Sequence, residues 1–212
     1  MTGQRTYTFR DPSSLARVVV TWLYVHLGVV VLYGLMSVLP LLGKTPFIDL
    51  IVGLSALPML GVGLVVAFLV LKWIYRVSRN AHSVANGLTV SPPWAVGWFF
   101  VPVAFLWKPF QGLREAWQAS SDAANWKTVP TPSILRWWWA FFLVSNFLGQ
   151  ASFRLNMVQG GSDVASAIDA ISTFVDAPLD LIFIKIVREL TGAQASYLIA
   201  ETFSDAAPQP AT

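Results

Sequence analysis

Four long apolar runs dominate this chain, each closing at or beside a proline or a basic residue; they fall at 15–39, 48–75, 134–155 and 164–187. About 20 apolar residues is the length an α-helix needs to cross a hydrocarbon core of roughly 30 Å. Lipid offers no partner to backbone N–H and C=O groups, so a run of this kind that crosses does so as a helix. Composition agrees: 55% of the 212 residues are hydrophobic and 12% charged, with 10 Trp and 14 Phe. The fold class expected is an all-α integral membrane protein with four transmembrane helices, flanked by tails at 1–14 and 195–212.

The first run is too long for a signal-peptide core, and no small-residue cleavage site follows it, so it reads as a retained span. Trp22 and Tyr24 suit an interface, and Pro40 helps end the helix. In the second run Pro58 deletes one backbone hydrogen bond and bends the helix, and Gly63 and Ala67 form a small-xxx-small pair suited to close helix packing. The third run starts at Ser133, an N-cap type of residue, and opens with Trp137, Trp138 and Trp139, which read as an interface belt. The fourth carries Asp169, Asp176 and Asp180, each costing about 2.5 to 3.5 kcal/mol at mid-membrane, and is marginal by itself.

A fifth apolar stretch, PPWAVGWFFVPVAFLWKP at 92–109, is harder to place. A helix over 93–107 rises only about 22 Å, short of the core thickness. If it does not cross, one side of the membrane holds Arg5, Arg10, Arg17, Lys72, Arg76, Arg79, Lys108, Arg114, Lys127, Arg136, Lys185 and Arg188. Lys44 and Arg154 then stand opposite, a split of 12 to 2 among the 14 basic residues. If it crosses, the split becomes 7 to 7. The positive-inside rule selects the first arrangement: four spans, both termini cytoplasmic, in the cell (inner or plasma) membrane, with 93–120 re-entrant or interfacial. Pro93 suits a first helical turn, Gly97 a close-packing point, and Pro102 a break or reversal. Beyond Pro109, Phe110, Leu113 and Trp117 share one helical face, opposite Gln111, Arg114, Glu115 and Gln118, which predicts an amphipathic surface helix.

Three stretches of this region, WIYRVSRN (73–80), GLTVSPPWAVGWFFVP (87–102) and LWKPFQGLREAW (106–117), resemble a bacterial membrane-protein family catalogued as domain of unknown function 4328 (DUF4328). The resemblance spans roughly 15–194 and is most specific at Trp73, Arg76, Asn80, Trp94, Gly97, Trp98, Pro102, Trp107, Pro109, Arg114, Glu115 and Trp117. It implies a multi-pass prokaryotic membrane protein with this Trp/Pro core, and implies no activity, cofactor or substrate.

Enzyme chemistry finds no foothold in the sequence. With no Cys there is no thiolate site, and none of GxxxxGK[ST], GxSxG, HExxH or GxGxxG occurs. His26 lies inside the first span and His82 beyond the second, depths that do not match for paired haem ligation, so His26 reads as a buried, hydrogen-bonded side chain. The net charge of +3 comes from scattered Lys and Arg, not a nucleic-acid-binding block. RNAHSVANG, 79–87, reads as a helix end finished by Asn86 and Gly87.

One polar constellation stands out. Asp169, Thr173, Asp176 and Asp180 recur at helical spacing along the last run, and Asn146, Gln150 and Arg154 do so along the run before it. Both stripes meet at the connection 156–163, so the expectation is that they face each other, with Arg154 pairing Asp169. Intramembrane ionisable residues face a bundle interior or a water-filled cavity. Three readings stay open: polar glue between helices, a cation or proton pathway, and interfacial residues. The leading function is an interaction, assembly or regulatory membrane protein with no enzyme activity and no cofactor, its partners being the bilayer and other membrane proteins or a second copy. The alternative is a small proton or cation transporter or channel. A cavity reaching Asp176 favours the second and a fully paired stripe the first.

Overall fold

The computed structural model describes residues 7–43, 45–158 and 162–206. Arg5 and Lys44, which enter the charge count, lie outside them. The elements in order are α1 (Ser13–Leu42), α2 (Pro46–Val84), α3 (Pro92–Gly97), two 3-10 turns (Trp98–Phe100 and Ala104–Leu106), α4 (Lys108–Ser121), a third 3-10 turn (Trp126–Thr128), α5 (Ser133–Asn156) and α6 (Ser162–Ala206). No strand occurs among the described residues.

α1 begins where the Asp11 carboxylate accepts the Ser13 N–H at 2.8 Å. Hydrogen bonds from the Ser13 side chain and backbone hold that carboxyl below the usual range. The helix runs through Pro40 to Leu42, so Pro40 lies inside the last turn and does not end it. α2 starts at Pro46, with Thr45 Oγ1 accepting the Ile48 N–H at 3.2 Å, and continues through Pro58 and past residue 75 to Val84. Gly87 follows at φ +77, a conformation that favours glycine, where the sequence anticipates the helix end. α6 continues to Ala206, so much of the expected C-terminal tail is helical.

Among the described residues, two helices are long and apolar enough to cross a membrane: α1 over Ser13–Pro40 and α2 over Pro46–Val84. α5 and α6 have the length but not the apolarity. Trp, amide and Arg side chains lower it in α5, and the acidic stripe in α6.

The chain divides into two compact units. The first comprises Met1–Val18, Leu71–Pro132 and Ile186–Thr212. Its core holds Trp73, Ile74, Val77, Leu113, Ile186, Val187 and Leu190. Between α3 and α4 the chain turns back on itself, the first two 3-10 turns packing on each other and on α4. Pro102 stands at this reversal, where the sequence places it. On α4, Leu113 is buried as expected, but Phe110 and Trp117 are only half-buried, while Glu115 and Gln118 of the supposed polar face are buried with Gly112, Ala116 and Ala119. The polar face turns inward because it meets a loop rich in backbone N–H and C=O groups.

The second unit comprises Val19–Val70 and Ser133–Lys185. Val19, Leu23, Val30, Leu135, Trp138, Phe183 and Ile184 are buried in it. The tryptophan triplet is divided: Trp137 is exposed, whereas Trp138 and Trp139 are buried, Trp138 stacking on Phe183 at 5.2 Å between ring centroids. Two of the three indoles therefore pack the core and do not form a belt. Of the small-residue pair, Gly63 lies 3.9 Å from His26 Nε2, measured from its would-be Cβ, and Ala67 is exposed. The outside of this unit is apolar, with Leu35, Leu57, Leu60, Leu64, Phe68 and Phe174 all exposed.

Candidate polar cavity and the family-signature cluster

Within the second unit the acidic stripe of α6 faces α1. Asp180 Oδ2 lies 2.8 Å from His26 Nδ1, and Asp169 Oδ2 accepts the Tyr33 hydroxyl at 2.9 Å. Between them Thr173 presses against Gly34, where a Cβ would stand 1.8 Å from Thr173 Oγ1. Only a glycine lets the two helices approach at this depth. α5 contributes one partner, the Ser145 hydroxyl, which hydrogen-bonds the Asp176 side chain. The other oxygen, Asp176 Oδ1, is buried without a hydrogen-bond partner.

These groups surround a cavity of about 200 Å³ lined by Val30, Tyr33, Met59, Ser145, Gly149, Asp169, Ser172, Thr173 and Asp176. Its polar atoms are oxygens, two carboxylates and four hydroxyls, set against Val30 and Met59. Hard oxygen donors suit protons, water and alkali or alkaline-earth cations better than soft metals. Among the described residues, no three His, Cys, Asp or Glu side chains converge as metal ligands.

The structure thus gathers Asp169, Thr173, Asp176 and Asp180, and the other expected stripe does not meet them. Asn146 Nδ2 donates to its own helix at Phe142 O, 2.8 Å away, and Gln150 and Arg154 are exposed. Arg154 makes no ion pair with Asp169, whose partner is Tyr33. The short connection between α5 and α6 favours α5 as the partner of the stripe, but the side chains that hold Asp169 and Asp180 are on α1, and α5 meets Asp176 through Ser145. His26 is hydrogen-bonded and largely buried, as the sequence suggests, but its partner Asp180 and the role of Tyr33 escaped that reading. The signal was the spacing of His26, Val30, Tyr33 and Ser37 along one face of α1.

The signature residues around Trp73 to Trp117 build the first unit instead. Asn80 is fully buried and reads the backbone of Arg10 twice, accepting its N–H at 3.0 Å and donating to its C=O at 2.8 Å. Asn80 Nδ2 also donates to Gln194 Oε1 at 2.8 Å, and Gln194 Nε2 donates to Val77 O and Ser120 Oγ. Trp73 Nε1 donates to Thr191 Oγ1 at 3.1 Å, and Arg76 reaches Asp11 O at 3.3 Å. Glu115 Oε2 accepts the N–H groups of Thr89 and Val90 at 2.8 and 3.1 Å, while its Oε1 accepts Gln111 Nε2 and the Thr89 hydroxyl. Pro109 is buried in the first turn of α4, and Trp94 packs on Trp98 at 4.5 Å between centroids, with Gly97 against the Trp94 ring. Arg114 Nε is buried without a hydrogen-bond partner. These side chains clamp backbone segments together.

The sequence model of the family described as Domain of unknown function (DUF4328) matches residues 44–192. The chain belongs to the DUF4328 family. No curated protein and no solved structure matches it. The DUF4328 match takes in the whole acidic stripe and the clamp residues from Trp73 to Thr191, but His26 and Tyr33 precede it.

Proposed function

We propose that this DUF4328 protein is a four-span, multi-pass protein of the cell membrane that binds and passes protons or a small hard cation through the oxygen-lined cavity of its second unit. The observation that carries this is the buried Asp176 Oδ1, left without a partner in a cavity large enough and polar enough for water or an ion. Buried polar atoms are nearly always satisfied, and an exception calls for an explanation, here a water or an ion held in the adjoining cavity.

Two considerations support four spans. The polar residues that make α6 marginal alone are matched by His26, Tyr33 and Ser145, so the insertion cost falls when the helices enter as a bundle. The second unit also exposes large apolar side chains such as Leu57, Leu60, Leu64 and Phe174, which a lipid surround would cover. The 12 to 2 division of basic residues supports a cytoplasmic position for both termini.

Asp176→Asn is the test, read by proton and sodium fluxes in proteoliposomes alongside thermal stability. Transport requires flux in the unmodified protein and its loss in the variant, with stability kept or raised, since the amide removes an uncompensated buried charge. An absence of flux in the unmodified protein, with a fall in stability for the variant, assigns the stripe to packing. The protein would then be an interaction or assembly factor, which the clamp-like use of its signature residues favours.

A further inference from the structure

The reversal at residues 98–107 combines three properties that water does not explain together. Apolar side chains are exposed on it and on α3 beside it: Phe100 at 72%, Val103 at 65% and Trp107 at 47%, with Trp94 of α3 at 50%. Much of its backbone is closed on itself, the N–H groups of Val101, Ala104, Phe105, Leu106 and Trp107 each reaching a nearby carbonyl. Third, the closure is strained. Val103 stands at φ 66 and ψ −53, and the Ala104 N–H bonds Pro102 O at 2.7 Å, which is a classical γ-turn with a β-branched residue at its centre.

Such a conformation costs on the order of 1 to 3 kcal/mol. In water the strain gains little, because solvent would accept the Ala104 N–H. In an apolar phase an unpaired N–H costs several kcal/mol, so closing the turn is favourable. Charge points the same way. The segment 91–107 carries none, and the first charge after it is Lys108, whose Nζ sits 5.9 Å from the centroid of the Trp98 ring. An indole beside an ammonium suits the phosphate layer of a bilayer.

We infer that this reversal is a lipid-inserted wedge: its tip, residues 100–103, enters one leaflet of the bilayer, with Trp94, Trp107 and Lys108 at the level of the lipid phosphates. The dimensions fit partial insertion. α3 has 6 residues and rises about 9 Å, within the roughly 5 to 10 Å that interfacial elements bury and far short of a crossing. The wedge does not depend on the cavity or on any flux.

The chain has no cysteine, so single cysteines at Phe100 and Val103 can carry an environment-sensitive fluorophore, with Ser121, exposed at the end of α4, as reference. The full-length protein is reconstituted in vesicles of phosphatidylcholine and phosphatidylglycerol. Lipids bearing a nitroxide high on the acyl chain should quench the probe at 100 and 103 at least about threefold more than at 121, and aqueous iodide should show the reverse order. Using two tip positions guards against a variant that disturbs the strained turn. Equal iodide quenching at tip and reference would overturn the wedge. So would a tip shielded from both quenchers that cross-links to the tip of another copy, because its cover would then be protein.

Discussion

His26 Nδ1 and Asp180 Oδ2 meet at 2.8 Å, joining helices that stand 154 residues apart in the chain. With Tyr33 on Asp169 two turns further along α1, the contact fixes the rotation of α1 against the acidic face of α6. His26→Ala and Asp180→Ala should each lower the stability of the detergent-solubilised protein by about 3 kcal/mol, the lower end for breaking a buried pair. The double variant should cost clearly less than the sum. Additive losses in a denaturation series would show that the two side chains do not support each other.

The stripe itself was legible because carboxylates at helical spacing in an apolar run share one helical face, and it folds as one face. Its partner was not legible. Chain proximity favoured α5 with Asn146, Gln150 and Arg154, yet the residues that complement Asp169 and Asp180 are one aromatic hydroxyl and one imidazole on α1, neither conspicuous in an apolar helix. On α4 the pattern of Phe110, Leu113 and Trp117 gave the helix, but amphipathicity could not tell water from a loop presenting N–H groups, so the burial of Glu115 and Gln118 was missed. Trp138 and Trp139 show the same limit: an indole suits an interface and a core alike.

Glu115 holds the loop before α3 by accepting two backbone N–H groups, a hydroxyl and an amide. Glu115→Ala leaves the N–H of the buried Val90 without its acceptor and should cost about 3 kcal/mol or more. Glu115→Gln should also destabilise, because it turns an acceptor into a donor facing donors. Protease susceptibility of the 86–92 segment reports the local release. A Glu115→Gln protein cut no faster than the parent would mean the carboxylate is not the clamp.

Gly34 and Gly28 lie on one helix in opposite surroundings, which makes them a matched pair. A Cβ at Gly34 meets Thr173 Oγ1 at 1.8 Å and Thr173 Cβ at 2.7 Å, whereas nothing lies within 4 Å of one at Gly28. Gly34→Ala should push α1 and α6 apart and cost about 1 to 3 kcal/mol. Gly28→Ala should be neutral, or stabilising by up to about 1 kcal/mol through helix propensity. Equal melting temperatures for the two variants would contradict the close approach at Thr173.

Sidedness decides how the polar cavity is reached, and single cysteines measure it. Asn86 follows α2, Ser121 ends α4, and Met157 is exposed after α5. With four spans and both termini cytoplasmic, an impermeant maleimide added to intact cells or spheroplasts should label Met157→Cys alone, and Asn86→Cys and Ser121→Cys should react after lysis. Labelling of Ser121→Cys from outside would mean that the segment between α3 and α4 crosses the bilayer. Everything after it would then invert, the basic residues would divide 7 to 7, and the rule that orients the chain would lose its purchase. The 6-residue length of α3 and the turn at Val103 argue for the first outcome, because a chain that reverses after about 9 Å cannot reach the far leaflet.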